Sequence, residues 1–361
     1  MAQVPLFQLR QVQFVYRSEP ALRGIDWVVY PGEHWACLGP NGAGKTTLAR
    51  LITRQLQHFS GDIARSRELD AGGVAYVCFE QAQALCERDR KLDDSEFRAD
   101  ALDTGTTVRA LILGHREPGP GFAALVDRLG LERVLERGLR FISTGEMRKA
   151  LLASALISEP ALLILDNPMD GLDRATQGEM QHLLAELTHS SGNVMLLCRQ
   201  PEDIPAGFDQ VLLLDDGRII DRGAAGSVIA RPATHRLLNP DVPPLSALPP
   251  PAPRPYDEHC PGPLLSLRAV KVSYGEVVVL NDANWTFARG QHCCISGPNG
   301  CGKSTLLSLV TGDNHKAYGQ DITLFGVRRG SGESIWDIKQ RFGQISNDLH
   351  LQFARGMRVI E

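Results

Sequence analysis

The sequence lacks any apolar run near the 18 or so residues that a helix needs to cross a bilayer. Its longer apolar runs, such as 161–165 and 211–214, have the length of buried strands. Neither charge sign is in large excess, because 38 Lys and Arg stand against 42 Asp and Glu, for a net charge of −4. This balance gives no overall basic field for nucleic acid or anionic lipid and argues against nucleic acid as a partner.

Two further features are missing. The first ten residues lack the charged-then-apolar order of a secretory signal. The eight cysteines contain no CxxC pair followed by a second pair at zinc spacing. Several lie within apolar runs, where a free thiol behaves as a small hydrophobic group. We therefore expect reduced, buried cysteines in a cytoplasmic protein.

What the sequence does contain is an internal repeat. A shift of 258 residues places Trp27 on Trp285, and the loop GPNGAGKTTL of residues 39–48 on GPNGCGKSTL of residues 297–306. Such a register over rare residue types indicates a tandem duplication. We predict a first domain over 5–230 and a second over 264–361. Between them, 231–263 holds 11 of the 22 prolines and is predicted to be an extended linker.

Alternating short apolar runs and helical stretches in the first copy predict a largely parallel sheet flanked by helices, an α/β fold. A polar, then helical insertion interrupts this alternation at about 82–140. The predicted strands are 35–38, 74–78, 162–165, 194–197 and 211–214.

Both loops match GxxxxGK[ST], a phosphate loop that follows a strand and opens a helix. Their glycines let backbone N–H groups turn toward phosphate oxygens at the positive end of a helix. The lysine can reach the β- and γ-phosphates of ATP, and the hydroxyl after it can bind Mg²⁺. The predicted nucleotide contacts are Gly39, Asn41, Gly42, Gly44, Lys45, Thr46 and Thr47 in the first copy, and Gly297, Asn299, Gly300, Gly302, Lys303, Ser304 and Thr305 in the second.

An aromatic residue, Tyr16 or Tyr274, stands 23 residues ahead of each loop. Such a tyrosine could stack on adenine or pack in the core. The equal spacing in both copies favours stacking.

The motifs that follow the first loop resemble those of ABC ATP-binding domains. Residues 142–146 (ISTGE) are similar to the signature, 162–166 (LLILD) to the Walker B strand, 167–173 (NPMDGLD) to the D-loop, and Gln81 to the Q-loop glutamine. The resemblance implies a P-loop NTPase fold with one complete copy and the N-terminal part of a second.

By that resemblance, Asp166 would hold Mg²⁺ through water and Gln81 would sense the metal, alongside the hydroxyls of Thr46 and Ser304. The signature residues Ser143 and Gly145 would contact ATP held by an opposite domain in a head-to-tail pair. Closure on ATP would move rigid domains.

Two positions depart from this pattern. Asn167 stands where the family has a glutamate that acts as general base, and Arg199 stands at the switch histidine. An amide cannot accept the proton, and loss of a general base costs about 10²–10⁴-fold in rate. We therefore expect the first site to bind ATP and hydrolyse it poorly.

The second copy is expected to be incomplete. Asp166 follows Gly39 by 127 residues, and the same spacing from Gly297 would end beyond Glu361. On this reading the chain is a truncated tandem protein, and turnover by the chain alone is doubtful.

The segments 306–313, 321–326 and 328–339 resemble molybdenum transport ATP-binding proteins of the ModF family, also described as photorepair proteins. That family commonly has arginine at the switch position, as at Arg199, but not asparagine at position 167. The resemblance implies a bacterial ATPase subunit at the cytoplasmic face of the inner membrane. It would be coupled to a permease, docked at the 82–140 insertion, and to molybdate uptake. Two alternatives stay open: a non-membrane tandem ABC factor in regulation, repair or translation, and an ATP-binding module without turnover.

Overall fold

The computed structural model describes residues 3–92, 105–190, 192–240, 262–274 and 277–345. The chain divides into two compact units, Met1–Pro244 and Leu245–Glu361. Within the described residues, no helix is both long enough and apolar enough to cross a membrane.

The first unit has two sheets. The strands are β1 Phe7–Tyr16, β2 Glu19–Val29, β3 Trp35–Leu38, β4 Ser60–Arg65, β5 Val74–Cys78, β6 Leu162–Asp166, β7 Asn193–Cys198, β8 Gln210–Asp215 and β9 Arg218–Ala224. The helices are α1 Lys45–Ile52, α2 Arg67–Gly72, α3 Phe79–Leu92, α4 Val108–Leu113, α5 Gly121–Leu129, α6 Thr144–Leu156, α7 Arg174–Ser190, α8 Ala225–Ile229 and α9 Pro232–Leu238. All five predicted strands are present.

The larger sheet has the order β5-β6-β7-β3-β8-β9, and only the β8–β9 pair is antiparallel. Its central strands are buried on both faces. In β6, Leu163 and Leu165 pack into a core shared with α6 and α7, while Leu162 and Ile164 pack toward α1 and the smaller sheet. This double burial explains why these strands are continuous apolar runs.

The smaller sheet has the order β2-β1-β4. In the second unit, β10 Leu265–Tyr274 and β11 Val277–Phe287 reproduce the β1–β2 pairing register with the same offset of 258 residues. The irregularity is also reproduced, since Gln11 and Ala269 both have positive φ, 48° and 49°. The backbone N–H of Gln11 donates to the Asp26 side chain, and the backbone N–H of Ala269 donates to the Asn284 side chain, each at 2.9 Å. The repeat therefore extends from sequence to backbone conformation.

The remaining elements of the second unit are α10 Lys303–Thr311, β12 Asp321–Leu324, β13 Val327–Arg328 and α11 Ile335–Lys339. Its strands form one antiparallel sheet in the order β11-β10-β12-β13. Residues 293–296, which match β3 in the repeat, are described and form no strand.

Two predicted segments differ from the structure. Extended chain was predicted from residue 231, but α9 occupies Pro232–Leu238. Pro232 lies in the first turn, where its missing N–H has no helical partner to lose. Thr234 is buried and its hydroxyl donates to the Val228 carbonyl at 2.7 Å, which fixes α9 to the first unit. Residues 241–261 of the predicted linker lie outside the described residues.

The predicted insertion at about 82–140 was expected to begin with a polar segment, but it is helical from its start. Helix α3 begins at Phe79, directly after β5, and contains the polar residues that were predicted to precede the helices. Helices α4 and α5 follow, and residues 93–104 lie outside the described residues.

Candidate nucleotide site

The phosphate loop of the first unit is a tight turn between β3 and α1. Gly42 and Gly44 have φ of 78° and 101°, in the left-handed region where glycine avoids the cost of a Cβ. At Gly39 the constraint is space, because a Cβ would lie 2.1 Å from the Leu214 carbonyl oxygen. Asn41 and Gly42 are exposed, while Thr47 is buried in α1. The loop therefore exposes backbone toward solvent at the start of a helix.

Lys45 lies inside this loop. Its side chain is almost fully buried, and Nζ donates to the carbonyls of Gly39 at 2.7 Å and Pro40 at 2.9 Å. Burial lowers the pKa of Lys45, and the nearby thiols and Asp166 partly oppose that shift. The ammonium group is thus held at the centre of the loop, where phosphate oxygens could replace the two carbonyls.

Asp166, the last residue of β6, accepts three hydrogen bonds from neutral groups. Its Oδ2 accepts from the Thr46 hydroxyl and from the Tyr76 hydroxyl, each at 2.7 Å. Its Oδ1 accepts from the Asn167 amide, also at 2.7 Å. These oxygens converge because β5 and β6 are adjacent and end at the edge where α1 begins.

Mg²⁺ prefers hard oxygen ligands such as hydroxyl, carboxylate, phosphate and water. The Thr46 hydroxyl and the Asp166 carboxylate are hydrogen-bonded to each other, so their oxygens are close together. They fit a Mg²⁺ ion that is bound together with a nucleotide phosphate. Among the described residues, no group of three His, Cys, Asp or Glu side chains forms a metal site on its own.

Asn167 has a positive φ of 46°, and its backbone N–H donates to the Leu197 carbonyl at 2.9 Å. Asparagine tolerates this left-handed conformation better than most residues. Its side chain donates to the Asp166 carboxylate and cannot act as a base. The predicted base position is therefore occupied by a hydrogen-bond donor.

Two arginines hold the turn that follows Asn167. Arg148, on α6, donates to the carbonyl oxygens of Asn167, at 3.2 Å, and of Asp170. Its guanidinium lies over the Phe79 ring, 4.6 Å from the centroid. Burial lowers the pKa of Arg148 to about 10, which leaves it charged at neutral pH. The predicted switch residue Arg199 pairs with the Asp170 carboxylate.

The signature opens α6. The Ser143 hydroxyl accepts from the Glu146 N–H at 3.2 Å, and the Ser143 N–H donates to the Glu146 carboxylate at 2.7 Å. This capping box fixes the start of the helix. Gly145 is buried, and a Cβ there would lie 2.8 Å from Cγ2 of Thr176. Within the described part of the chain, no hydrogen bond joins Ser143 or Gly145 to Asp166.

Gln81, Tyr16 and Tyr274 are the remaining predicted site residues. Gln81 is exposed in the first turn of α3 and lines a cleft of about 680 Å³ between β5, α3, α4 and α6. No hydrogen bond connects it to Thr46 or Asp166 in the part that the structure describes. Tyr16 is 43% exposed at the end of β1, with its ring edge against Phe14. Tyr274 ends β10, and its side chain lies outside the described residues.

The second phosphate loop repeats the local geometry of the first. Gly300 and Gly302 have φ of 79° and 95°, and Lys303 Nζ donates to the carbonyls of Gly297 and Pro298, both at 2.7 Å. Ser304 is exposed at the start of α10. Asn299 and Thr305 occupy the positions of Asn41 and Thr47.

Sequence reasoning missed Tyr76 and Arg148 as members of the site. Tyr76 lies in the middle of an apolar strand, and its contact with Asp166 depends on β5 lying next to β6. Arg148 follows the signature by two residues, but only the fold places its guanidinium under the D-loop. The sequence carried a signal for Tyr76, whose hydroxyl lies in an otherwise apolar strand, but none for Arg148, which stands among the polar residues Glu146 and Lys149.

Comparison with known proteins agrees with this geometry. The family model described as "ABC transporter" matches residues 22–170 and 280–359. The chain belongs to the ABC transporter family. The "ABC transporter ATP-binding protein ModF" of Escherichia coli K12 is 36% identical over 350 residues, which cover 96% of this chain and 70% of that protein. The "zinc import ATP-binding protein ZnuC" of Alkalilimnicola ehrlichii is 32% identical, over 64% of this chain and 82% of its own.

Solved structures support the fold. A nucleotide-free ATP-binding cassette from an ABC transporter has a TM-score of 0.52 at 18% identity, and covers 65% of this chain and 98% of its own. The predicted P-loop NTPase fold is thereby confirmed. Proteins of this family bind ATP with Mg²⁺, hydrolyse it, and pair with each other and with transmembrane permeases.

Proposed function

We propose that the first unit binds Mg²⁺–ATP at the phosphate loop. The single observation that carries this proposal is the buried Lys45 ammonium, held in the loop by two carbonyls that phosphate oxygens can replace. Backbone N–H groups of the loop and the start of α1 would bind the phosphates. Thr46 and Asp166 would hold the metal, which neutralises phosphate charge when bound. Tyr16 would stack on the adenine, and Gln81 would approach the metal only if the start of α3 moves.

Turnover at this site is proposed to be slow. Asn167 replaces a carboxylate base with an amide that already donates to Asp166. The guanidinium of Arg199 and the ammonium of Lys45 are hydrogen-bond donors without an acceptor lone pair, so neither serves as a base. The remaining groups stabilise charge but do not activate water. Ser143 and Gly145 would contact the nucleotide held by an opposite ATP-binding domain in a head-to-tail pair.

We further propose that the protein couples ATP binding to transport through a permease, at the cytoplasmic face of the membrane. The cleft lined by Gln81, Arg88 and Leu111 supports this proposal, because it is open and lies beside the Asp166 neighbour Tyr76. The named relatives include both ModF and zinc importers, so molybdate is proposed on resemblance alone. Uptake of molybdate and of zinc by cells that lack the gene would separate these cargoes, and unchanged uptake of both would contradict the transport role.

The nucleotide site is tested with Lys45→Ala and the matched second-loop variant Lys303→Ala. Binding of a fluorescent ATP analogue in Mg²⁺ should weaken in each single variant and be lost in the double variant, with melting temperature as the control for folding. Unchanged affinity in the double variant would refute the proposal.

A second candidate function is an ATP-binding module without turnover. The hydrogen bond from the Asn167 amide to Asp166 favours this candidate, because the position of the general base then holds a group that donates a proton and does not accept one. ATP-dependent pairing of the chain without phosphate release would support this candidate. Steady phosphate release that is lost in Lys45→Ala would exclude it.

A further inference from the structure

Arg199 lies at the same sheet edge as the phosphate loop. Strand β7 runs parallel between β3 and β6, with Cys198 opposite Leu38 and Leu197 opposite Asp166. Arg199 therefore follows its strand at the edge where Gly39 and Asn167 follow theirs. Parallel strands place the residues after their carboxyl ends side by side. The guanidinium is thus within the electrostatic reach of the nucleotide site.

This cation is already paired. The Arg199 Nη2 donates to the Asp170 carboxylate, and both side chains are about 40% exposed. Arg199 is also close enough to Lys45 to contribute to lowering the pKa of that lysine, after the larger effect of burial. Two cations therefore face the loop region, one held by carbonyls and one by a carboxylate.

The carboxylate is held on a fixed turn. The Asp170 N–H donates to the Asn167 carbonyl at 3.2 Å, and the Arg148 guanidinium donates to the Asp170 carbonyl. Arg148 is buried and stacked on Phe79, so its position is set by packing in the core. A carboxylate on so constrained a backbone keeps its place opposite Arg199.

We propose that Asp170 is a positioning residue that occupies Arg199 in place of a terminal phosphate, and that a nucleoside triphosphate must displace it. The γ-phosphate of ATP would bind the Arg199 guanidinium. Because it must first break the ion pair with Asp170, the net gain in affinity is smaller. ADP has no γ-phosphate and does not compete. Asp170 therefore sets how strongly the site prefers ATP over ADP. This inference rests on the proposed nucleotide site in the first unit.

The test is the isosteric variant Asp170→Asn, with ATP and ADP affinities measured by displacement of a fluorescent analogue in Mg²⁺. Exposed ion pairs are worth little, so the expected gain in ATP affinity is about 1.5- to 5-fold, with ADP affinity unchanged. In an Arg199→Ala background, Asp170→Asn should have no effect on either nucleotide. The control Asp221→Asn removes the carboxylate of another Arg–Asp pair, with Arg231, and should change neither affinity.

Two results would overturn the inference. One is an unchanged ratio of ATP to ADP affinity in Asp170→Asn that melts like the wild type. The other is an equal gain in ATP affinity with and without Arg199, which would mean that the carboxylate acts only by repelling phosphate. A different result would contradict the proposed nucleotide site itself. That result is nucleotide binding by the wild type that is absent, or that Lys45→Ala leaves unchanged.

Discussion

Replacing Asn167 by glutamate should raise ATP turnover and lower stability together. The new carboxylate would stand beside Asp166, where water that attacks a phosphate could lose its proton. A positioned general base contributes about 10²–10⁴-fold to rate. We expect an increase of about 10²-fold, the lower end of that range, because the Asp166 carboxylate next to it disfavours a second charge.

The stability cost follows from two features of Asn167. Its φ of 46° lies in the left-handed region, where a residue other than Gly, Asn or Asp costs about 1–2 kcal/mol. Its amide also donates to the Asp166 carboxylate at 2.7 Å, and a hydrogen bond to a charged group contributes about 1.5–3 kcal/mol. Together these give a loss of about 2.5–5 kcal/mol, or about 5–20 °C in melting temperature for a unit of this size.

The assay is phosphate release over a range of protein concentrations, with melting temperature measured on the same samples. The matched control is Asn167→Gln, which has the length of glutamate but no base. The control should share the part of the fall in melting temperature that comes from the left-handed backbone, and it should show no gain in turnover. Equal turnover in both variants would refute the base assignment, and an unchanged melting temperature in both would refute the strain at position 167.

Two further outcomes can be measured. Gly145→Ala should destabilise the first unit by about 1–3 kcal/mol, because its Cβ would lie 2.8 Å from Cγ2 of Thr176, and Thr176→Ser, which removes that methyl group, should restore most of the loss in denaturant unfolding. Burial lowers the pKa of His34, whose Nδ1 accepts from the Val194 N–H at 3.2 Å, so the folded state favours the neutral ring. Stability should therefore fall as pH drops below about 6.5, by at most about 1.4 kcal/mol per pH unit, and His34→Gln should flatten that dependence in urea titrations.

Five of the six strands of the larger sheet and both phosphate loops could be predicted from sequence because their signals are local, whereas β9 was not predicted. A buried parallel strand is a short apolar run, and GxxxxGK[ST] specifies its own turn. The start of α9 was mispredicted because proline was read as a helix breaker, whereas Pro232 lies in the first turn. The length of a proline-rich segment therefore does not fix where its neighbouring domain ends.

The contacts around Asp166 could not be predicted in the same way. Tyr76 precedes it by 90 residues and Thr46 by 120, so their meeting depends on the strand order β5-β6-β7-β3. A run of apolar residues shows that a strand exists but not which strand lies beside it. Spacing along the sequence does not fix the surroundings of a side chain either. Gln81 stands at the expected spacing after β5, but it is exposed on α3, which begins immediately after the strand.

The two phosphate loops show which features depend on the ten residues of the loop and which depend on the surrounding sheet. Lys45 and Lys303 make the same two bonds to carbonyls of their own loops, so the shape of the phosphate loop is local. Lys45 is 6% exposed and Thr46 meets Asp166, whereas Lys303 is only half-buried and Ser304 is exposed. Burial and the acid come from β6 and β7, far along the chain. The shape of the phosphate loop is therefore set by local sequence, whereas the burial of its lysine and the contact with Asp166 require strands from elsewhere in the chain.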